Sequence, residues 1–161
     1  MSLSLLIPVY NEIEQLQFTI NKLKKLKKKI NKLEVIFIDD LSTDGSNEYI
    51  KKNSKKNSYI KVFKNKKKGL GSAIEEGIKK SKSDYICIFM CDMSDDVNDL
   101  IKYYNMIKEN KKDAIFGSRF IKNSKVKNYP LFKLALNRLS NNLIRFLFFS
   151  KYNDFTNAFK I

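Results

Sequence analysis

The sequence predicts an α/β fold, a three-layer α/β/α arrangement around a mostly parallel sheet, and three observations predict it. Short apolar runs alternate with amphipathic stretches of helical period, as βαβ units do. The runs are nearly continuous in Val, Ile, Leu and Phe, as in strands buried on both faces of a parallel sheet. Several of them end in carboxylates, and open α/β sheets bind ligands at the carboxyl ends of their strands.

The elements follow in order. Residues 2–9 (SLSLLIPV) read as a strand closed by Pro8, which has no donor for a central ladder. Tyr10-Asn11-Glu12 leads into a helix over 13–29, where Leu16, Ile20, Leu23 and Leu26 share one face and lysines fill the other. Residues 33–38 form a second strand ending at Asp39-Asp40, and a turn-and-cap cluster, 41–46, opens a helix over 47–56. A third strand spans 59–64. Lys66-Lys67-Lys68-Gly69-Leu70-Gly71 then opens a helix over 72–82, a loop suited to phosphate or to close packing. With Ile74 in its third position it is not a dinucleotide fingerprint. The central strand is expected at 86–91, a helix at 97–110, a strand at 114–117 with Arg119 beyond it, and an amphipathic helix at 131–149. No linker or repeat divides the chain, so one domain is expected over 1–161: a ligand-binding part over 1–120 and a further helix at 131–149.

The apolar run 86–91 stops in Asp92, Asp95 and Asp96. Carboxylates there suit a hard cation such as Mg²⁺ or Mn²⁺, held by oxygen ligands and substrate phosphates. They suit equally the N-terminus of the helix that follows. Right-handed crossovers bring the strand ends at Pro8, Asp39-Asp40, Asp92 and Arg119 to one edge. An aromatic ring (Tyr10), carboxylates and an arginine meeting there have the chemistry of a nucleoside-diphosphate site.

Composition excludes several alternatives. The net charge is +15, yet only three of the 32 basic residues are arginine, Arg119, Arg138 and Arg145. Lysine spread along a chain rich in Asn and Ile reads as compositional drift, and no nucleic-acid-binding module is present. The absence of histidine removes Ser-His and Cys-His nucleophiles, a histidine base and His-ligated zinc. Cys87 and Cys91, four apart on one run, read as buried reduced thiols of a cytosolic protein. No signal peptide opens the chain, and no run has the length of a spanning helix.

The motifs Ile7-Pro8-Val9-Tyr10-Asn11-Glu12, Ile38-Asp39-Asp40-Leu41-Ser42-Thr43-Asp44-Gly45-Ser46, Lys68-Gly69-Leu70-Gly71, the acidic strand end, Gly117-Ser118-Arg119-Phe120 and 154–160 (DFTNAFK) occur in this order. So ordered, the chain resembles the family-2 glycosyltransferases of GT-A fold, on the branch similar to dolichyl-phosphate mannosyltransferase. The resemblance implies that Pro8, Tyr10, Glu12, Ile38 and Asp40 hold the base and ribose of a nucleotide-sugar. The family's Asp-x-Asp falls on Met90-Cys91-Asp92, which implies metal-diphosphate binding for Asp92 beside Cys91, with Ser94 and Arg119 on the phosphate side. Met90 replaces the first carboxylate, leaving Asp92 as the metal ligand and Asp95 or Asp96 as substitutes. Family members continue beyond the point matching Ile161, so a truncated, split or minimal member is expected.

The implied reaction moves a sugar from a GDP- or UDP-sugar to a polyprenyl-phosphate or related glycan acceptor in cell-envelope synthesis, by metal-dependent, inverting displacement. A phosphate acceptor is already anionic, whereas a hydroxyl acceptor needs a base, for which Asp95, Asp96 and Asp154 are the candidates. Lys133 and Arg138 are assigned to the acceptor phosphate. The helix over 131–149, apolar on one side with Lys133, Arg138 and Arg145 on the other, packs on a core or lies at a membrane surface. A peripheral position at the inner face of the cell membrane follows from the second. A nucleotidyltransferase on a related sheet, or an inactive transferase serving as a basic binding module, is the alternative.

Overall fold

Seven buried residues in a row, Leu3–Val9 (β1), run beside Leu33–Asp39 (β2), in which only Glu34 is not buried. Runs of this kind need cover on both faces. They form the middle of a four-stranded, wholly parallel sheet of order β3-β2-β1-β4, with Ile60–Lys64 as β3 and Tyr85–Ile88 as β4. This computed structural model describes residues 1–92, 94–110, 112–121 and 130–161. The helices are α1 (Ile13–Lys29), α2 (Ser46–Ser54), α3 (Leu70–Lys80), α4 (Val97–Asn110) and α5 (Leu131–Leu147). The chain divides into two compact units, Met1–Ala114 with Ile161, and Ile115–Lys160.

In the first unit, register pairs Leu6 with Ile36 and Pro8 with Ile38. Side chains alternate along strands, so Leu6, Ile36 and Ile38 share one face. There they form a buried cluster with Ala73 of α3. Gly77 lets α3 come this close. A Cβ at that position would lie 2.8 Å from Ile38 Cδ1 and 3.1 Å from Leu6 Cδ1. The alternate residues Leu5, Ile7, Val35 and Phe37 are equally buried, and α1, packed beside α2 and α4, supplies the stripe Leu16, Ile20, Leu23 and Leu26.

Three expectations are corrected. The run 86–91 is neither central nor a strand throughout. β4 is an edge strand among the described residues, and it ends at Ile88, where its pairing with Leu6 ends. After Phe89 N–H donates to the Leu6 carbonyl (2.9 Å) the chain leaves the sheet, so Asp92 stands in a loop rather than on a strand tip. Residues 114–117 form no strand. Phe116 makes an isolated antiparallel bridge to Lys160, and its half-exposed ring has no sheet to cover. The expected five-strand alternation is therefore four strands among the described residues. Pro8 does not close β1, which continues one residue further to Val9.

The second unit is built on α5. Its single buried residue is Asn141. Asn141 Oδ1 accepts the backbone N–H of Phe155 (2.5 Å) and of Thr156 (3.4 Å), and its Nδ2 donates to Thr156 Oγ1 (3.0 Å). The helix thus pins the 154–156 turn with one amide. Its apolar residues stand in water, Leu131 at 82%, Phe132 at 77% and Phe146 at 74% exposed.

Candidate functional site

The strand order reverses between β1 and β4, since the chain lays β2 and β3 on one side of β1 and returns to add β4 on the other. Loops leaving the carboxyl ends of strands separate at such a switch point and leave a crevice. Three loops leave those ends: Tyr10–Glu12 after β1, Asp40–Gly45 after β2 and, after β4, a loop that holds residues 89–92 and 94–96.

The first two loops are laced together. Asp40 N–H donates to the Val9 carbonyl (2.7 Å), continuing the ladder one step past the strands. Asn11 takes a positive φ of 55°, a conformation asparagine tolerates, and its Oδ1 accepts the Thr43 N–H (2.8 Å) while its own N–H donates to Ser42 Oγ (3.1 Å). Ser46 Oγ accepts the Glu12 N–H (3.0 Å), and the Asp44 carboxylate accepts the N–H groups of Ile13 (2.9 Å) and Ser46 (3.0 Å). One carboxylate thus caps the start of α1 and closes the turn into α2. Burial pushes the Asp44 carboxyl up, but these hydrogen bonds hold it net below the usual aspartate range. Gly45 supplies the φ of 91° that ends the turn.

Asp40 turns inward. Its carboxylate accepts the Gly69 N–H twice (2.9 and 3.0 Å) and Asn65 Nδ2 (2.7 Å), tying the β3–α3 loop to the end of β2. The glycine loop is therefore held by a carboxylate at Gly69, where the backbone φ of 133° favours glycine. This grip sets Lys68, whose Nζ lies 2.8 Å from Tyr10 Oη and 4.1 Å from the centre of its half-exposed ring. Ile38 and Pro8 are buried near the ends of β2 and β1, from which these loops leave.

The loop after β4 is different. Asp92 is exposed, and among the described residues its Oδ1 accepts only the Ser94 N–H (2.9 Å). Asp95 Oδ2 accepts the Met90 N–H at 3.2 Å, which folds the loop back on the strand end. Asp96 accepts the Asn98 N–H (2.6 Å) and caps α4, so of the two carboxylates before that helix only the second is a cap. Cys91 is buried with its carbonyl on Thr19 Oγ1 (2.7 Å), and burial pushes its thiol up to about 12. Cys87 is likewise a free, buried thiol, raised by burial.

Carboxylates crowd this side. Burial, then the charges of Asp92 and Asp44, raise Glu12 above its usual value. Burial raises Asp95 to about 6, with the Asp92 charge adding to it and the Met90 hydrogen bond opposing it. Such crowding attracts a cation. Among the described residues no group of three potential ligands forms a ready cage. The donor set does fit a hard divalent ion held by one or two carboxylates and completed by substrate phosphates and water.

In the second unit Arg119 and Asp154 are a matched pair. Arg119 Nε and Nη2 donate to the two Asp154 oxygens (2.9 and 2.8 Å), the Arg119 N–H adds a third bond (2.9 Å), and Nη2 also reaches Thr156 Oγ1 (2.7 Å). Burial pushes the Asp154 carboxyl up, but Arg119 holds it net low. Arg138 lies 6.0 Å from the Phe120 ring, and Lys133 is exposed on α5. The sequence reading takes Ser42, Asp44 and Ser46 as a turn and cap and Lys68 as part of a phosphate or packing loop, but misses that Asn11 and Asn65 tie these loops together. Their signal was present, hydroxyl, amide and acid side chains crowding two loops, but it reads locally as turns and caps.

The model of the family described as Glycosyl transferase family 2 matches residues 4–161. A dolichol-phosphate mannosyltransferase of Pyrococcus furiosus is 30% identical over 138 residues, covering 86% of this chain and 39% of the relative. A poly-beta-1,6-N-acetyl-D-glucosamine synthase of Staphylococcus aureus is 33% identical over 116 residues, 72% of this chain and 27% of the relative. The chain thus spans well under half the length of these relatives. Among solved structures, a mannosyltransferase from Pyrobaculum calidifontis in complex with GDP-Man and Mn²⁺ shares the fold at a TM-score of 0.60 and 16% identity, over 70% of this chain and 34% of that one. TarS 1-349 of S. aureus does so at 0.62 and 22% identity, over 83% and 40%. No helix among the described residues is long and apolar enough to cross a membrane.

Proposed function

The chain belongs to glycosyl transferase family 2, and from that premise we propose that it binds a nucleotide-sugar, a GDP- or UDP-sugar, and moves the sugar to a polyprenyl-phosphate or related acceptor. The observation that carries the reading is the strand-order reversal, with Lys68 held on Tyr10 among the loops after β1–β3 and an exposed Asp92, close enough to raise Glu12, in the loop after β4. Similarity to a dolichol-phosphate mannosyltransferase supports the acceptor class, and a solved neighbour carrying GDP-Man and Mn²⁺ supports the donor and the cation.

In this reading Pro8, Tyr10, Glu12, Ile38 and Asp40 form the base and ribose side. Asp92 holds a divalent cation, Mg²⁺ or Mn²⁺, with Cys91 and Ser94 shaping its loop. When bound, that cation neutralises charge on the departing diphosphate. An acceptor oxygen attacks the anomeric carbon as the bond to the diphosphate breaks, inverting the centre and releasing a nucleoside diphosphate. A lipid phosphate arrives as its own nucleophile. A hydroxyl acceptor gives its proton to Asp95, whose raised pKa suits a base better than that of Asp154, which Arg119 holds low. Arg119, positioned by Asp154, serves the phosphate side, while Lys133 and Arg138 serve the acceptor phosphate. α5 lies on the inner face of the cell membrane with its apolar side in the lipid boundary.

Calorimetry with UDP and GDP, with and without Mn²⁺, tests the site. We expect micromolar-to-millimolar binding of one of them that strengthens at least about tenfold with the metal, a gain lost in Asp92→Asn. No binding of either at millimolar concentration under any metal condition would sink the reading.

A further inference from the structure

Lysine looks dispersed in the sequence, but the fold sorts charge to two ends of the first unit. Carboxylates gather where the strands end: Glu12, Asp40, Asp44, Asp92, Asp95 and Asp96. Each crossover helix then runs back, so α1 and α2 finish at the opposite edge, where the Leu3 N–H meets the Lys32 carbonyl (3.0 Å) and the Val35 N–H meets that of Tyr59 (2.8 Å). The chain carries seven lysines and no acid from Gln15 to Leu33, and nine and no acid from Tyr49 to Ile74; the acids that do stand at this edge are Glu34, paired with Lys61, and Asp84, bonded to Ser2.

Lys24, Lys25, Lys28 and Lys29 on α1 are all exposed, as are Lys51 on α2, which packs directly beside α1, and Lys55 at its C-cap. None of these six appears in an ion pair among the described residues. Other lysines of the unit do find acids, Lys61 with Glu34 at this edge, and Lys79 with Glu75 and Lys102 with Asp99 away from it. Cations in the last turn of a helix answer its dipole, but Lys24 and Lys25 precede that turn and α1 needs no such number. Unpaired like charges on two adjoining helices repel one another, and an external anionic surface relieves that.

We propose that this basic edge, formed by the C-terminal halves of α1 and α2, docks the protein on anionic phospholipid headgroups. The unit has no arginine, so it lacks the forked donors of site-specific phosphate recognition, and its flexible point charges suit the diffuse charge of a lipid surface. A polybasic surface is also the electrostatic half of the two-signal attachment by which peripheral proteins hold a membrane. The inference is independent of the transferase reading, because it uses none of the crevice residues.

The test is co-sedimentation of the full chain with vesicles of phosphatidylcholine alone and with added phosphatidylglycerol. Binding should require the anionic lipid, and Lys28→Glu with Lys55→Glu should weaken it at least about tenfold. Lys66→Glu with Lys67→Glu, equal in charge but at the other edge of the sheet, should change it less than about threefold. Circular dichroism establishes that both variants fold. Equal losses in the two variants would reduce the effect to net charge and overturn the proposal. So would unchanged binding in Lys28→Glu/Lys55→Glu joined to loss in Arg138→Glu/Arg145→Glu, which assigns docking to α5 alone. Tighter binding to duplex DNA than to anionic vesicles at physiological salt overturns it in favour of nucleic acid.

Discussion

The loops after β1 and β2 and the loop after β4 border the same crevice, yet they are built on opposite principles. In the first pair nearly every polar side chain is committed. Asn11, Ser42, Asp44 and Ser46 satisfy backbone N–H groups across the gap, and Asp40 grips Gly69. In the third, Asp92 makes one local bond among the described residues and burial raises the carboxyl of Asp95, with the Asp92 charge adding to it; the same charge also raises Glu12 of the first loop. One wall is rigid before any ligand arrives, and the other holds unfavourable charge that a cation would relieve. A site for a nucleoside diphosphate divides its labour in this way, because a flat base needs a fixed slot whereas a diphosphate brings charge that must be matched.

The comparison can be broken at three points. The largest effect is expected at Asp95. Its folded pKa of about 6 exceeds the unfolded value near 3.9, so the folded state holds more protons between those limits. Stability therefore falls as pH rises from roughly 4 to 6 and stays lower above. Asp95→Asn, which keeps an acceptor for Met90 N–H, should flatten that dependence and stabilise the protein at pH 7 by up to about 3 kcal/mol. Urea midpoints that move with pH equally in both proteins would remove the charge strain assigned to this wall. Next comes Asp44→Ala on the rigid wall. It strips the acceptor from two backbone donors and should cost about 2 kcal/mol in chemical denaturation. A cost below about 0.5 kcal/mol would show that the lacing is dispensable. The smallest effect is Asp96→Ala, the loss of one exposed helix cap, about 1 kcal/mol. It should leave nucleotide calorimetry unchanged, because Asp96 faces α4 rather than the crevice.

Much of this was legible in the chain. The helix at 13–29 has those bounds in the structure, that at 72–82 lies two residues earlier at both ends, and that at 131–149 starts as expected and ends two residues earlier. Apolar periodicity and caps are local properties, and each of these segments carries its own. The run 86–91 misled because composition reports burial and not position. Phe89 and Cys91 are buried, but in a loop folded under α1 rather than in the sheet. The expected strand at 114–117 failed for want of a partner, which no local pattern supplies.

The sequence by itself determined the alternation of elements, the parallel sheet, the carboxylates at its strand ends and the ordered motifs of the family. Those follow from side-chain period, turn chemistry and residue identity, all of which act over a few residues. Only the tertiary structure decided how the same residues are spent. It turned Asp40 onto Gly69, locked Arg119 to Asp154 and pushed Asp95 towards neutrality. It also gathered dispersed lysines at one edge. Each of these depends on distances between residues tens of positions apart, and electrostatic and hydrogen-bond energies are fixed by such distances and by burial, neither of which spacing along a chain reveals.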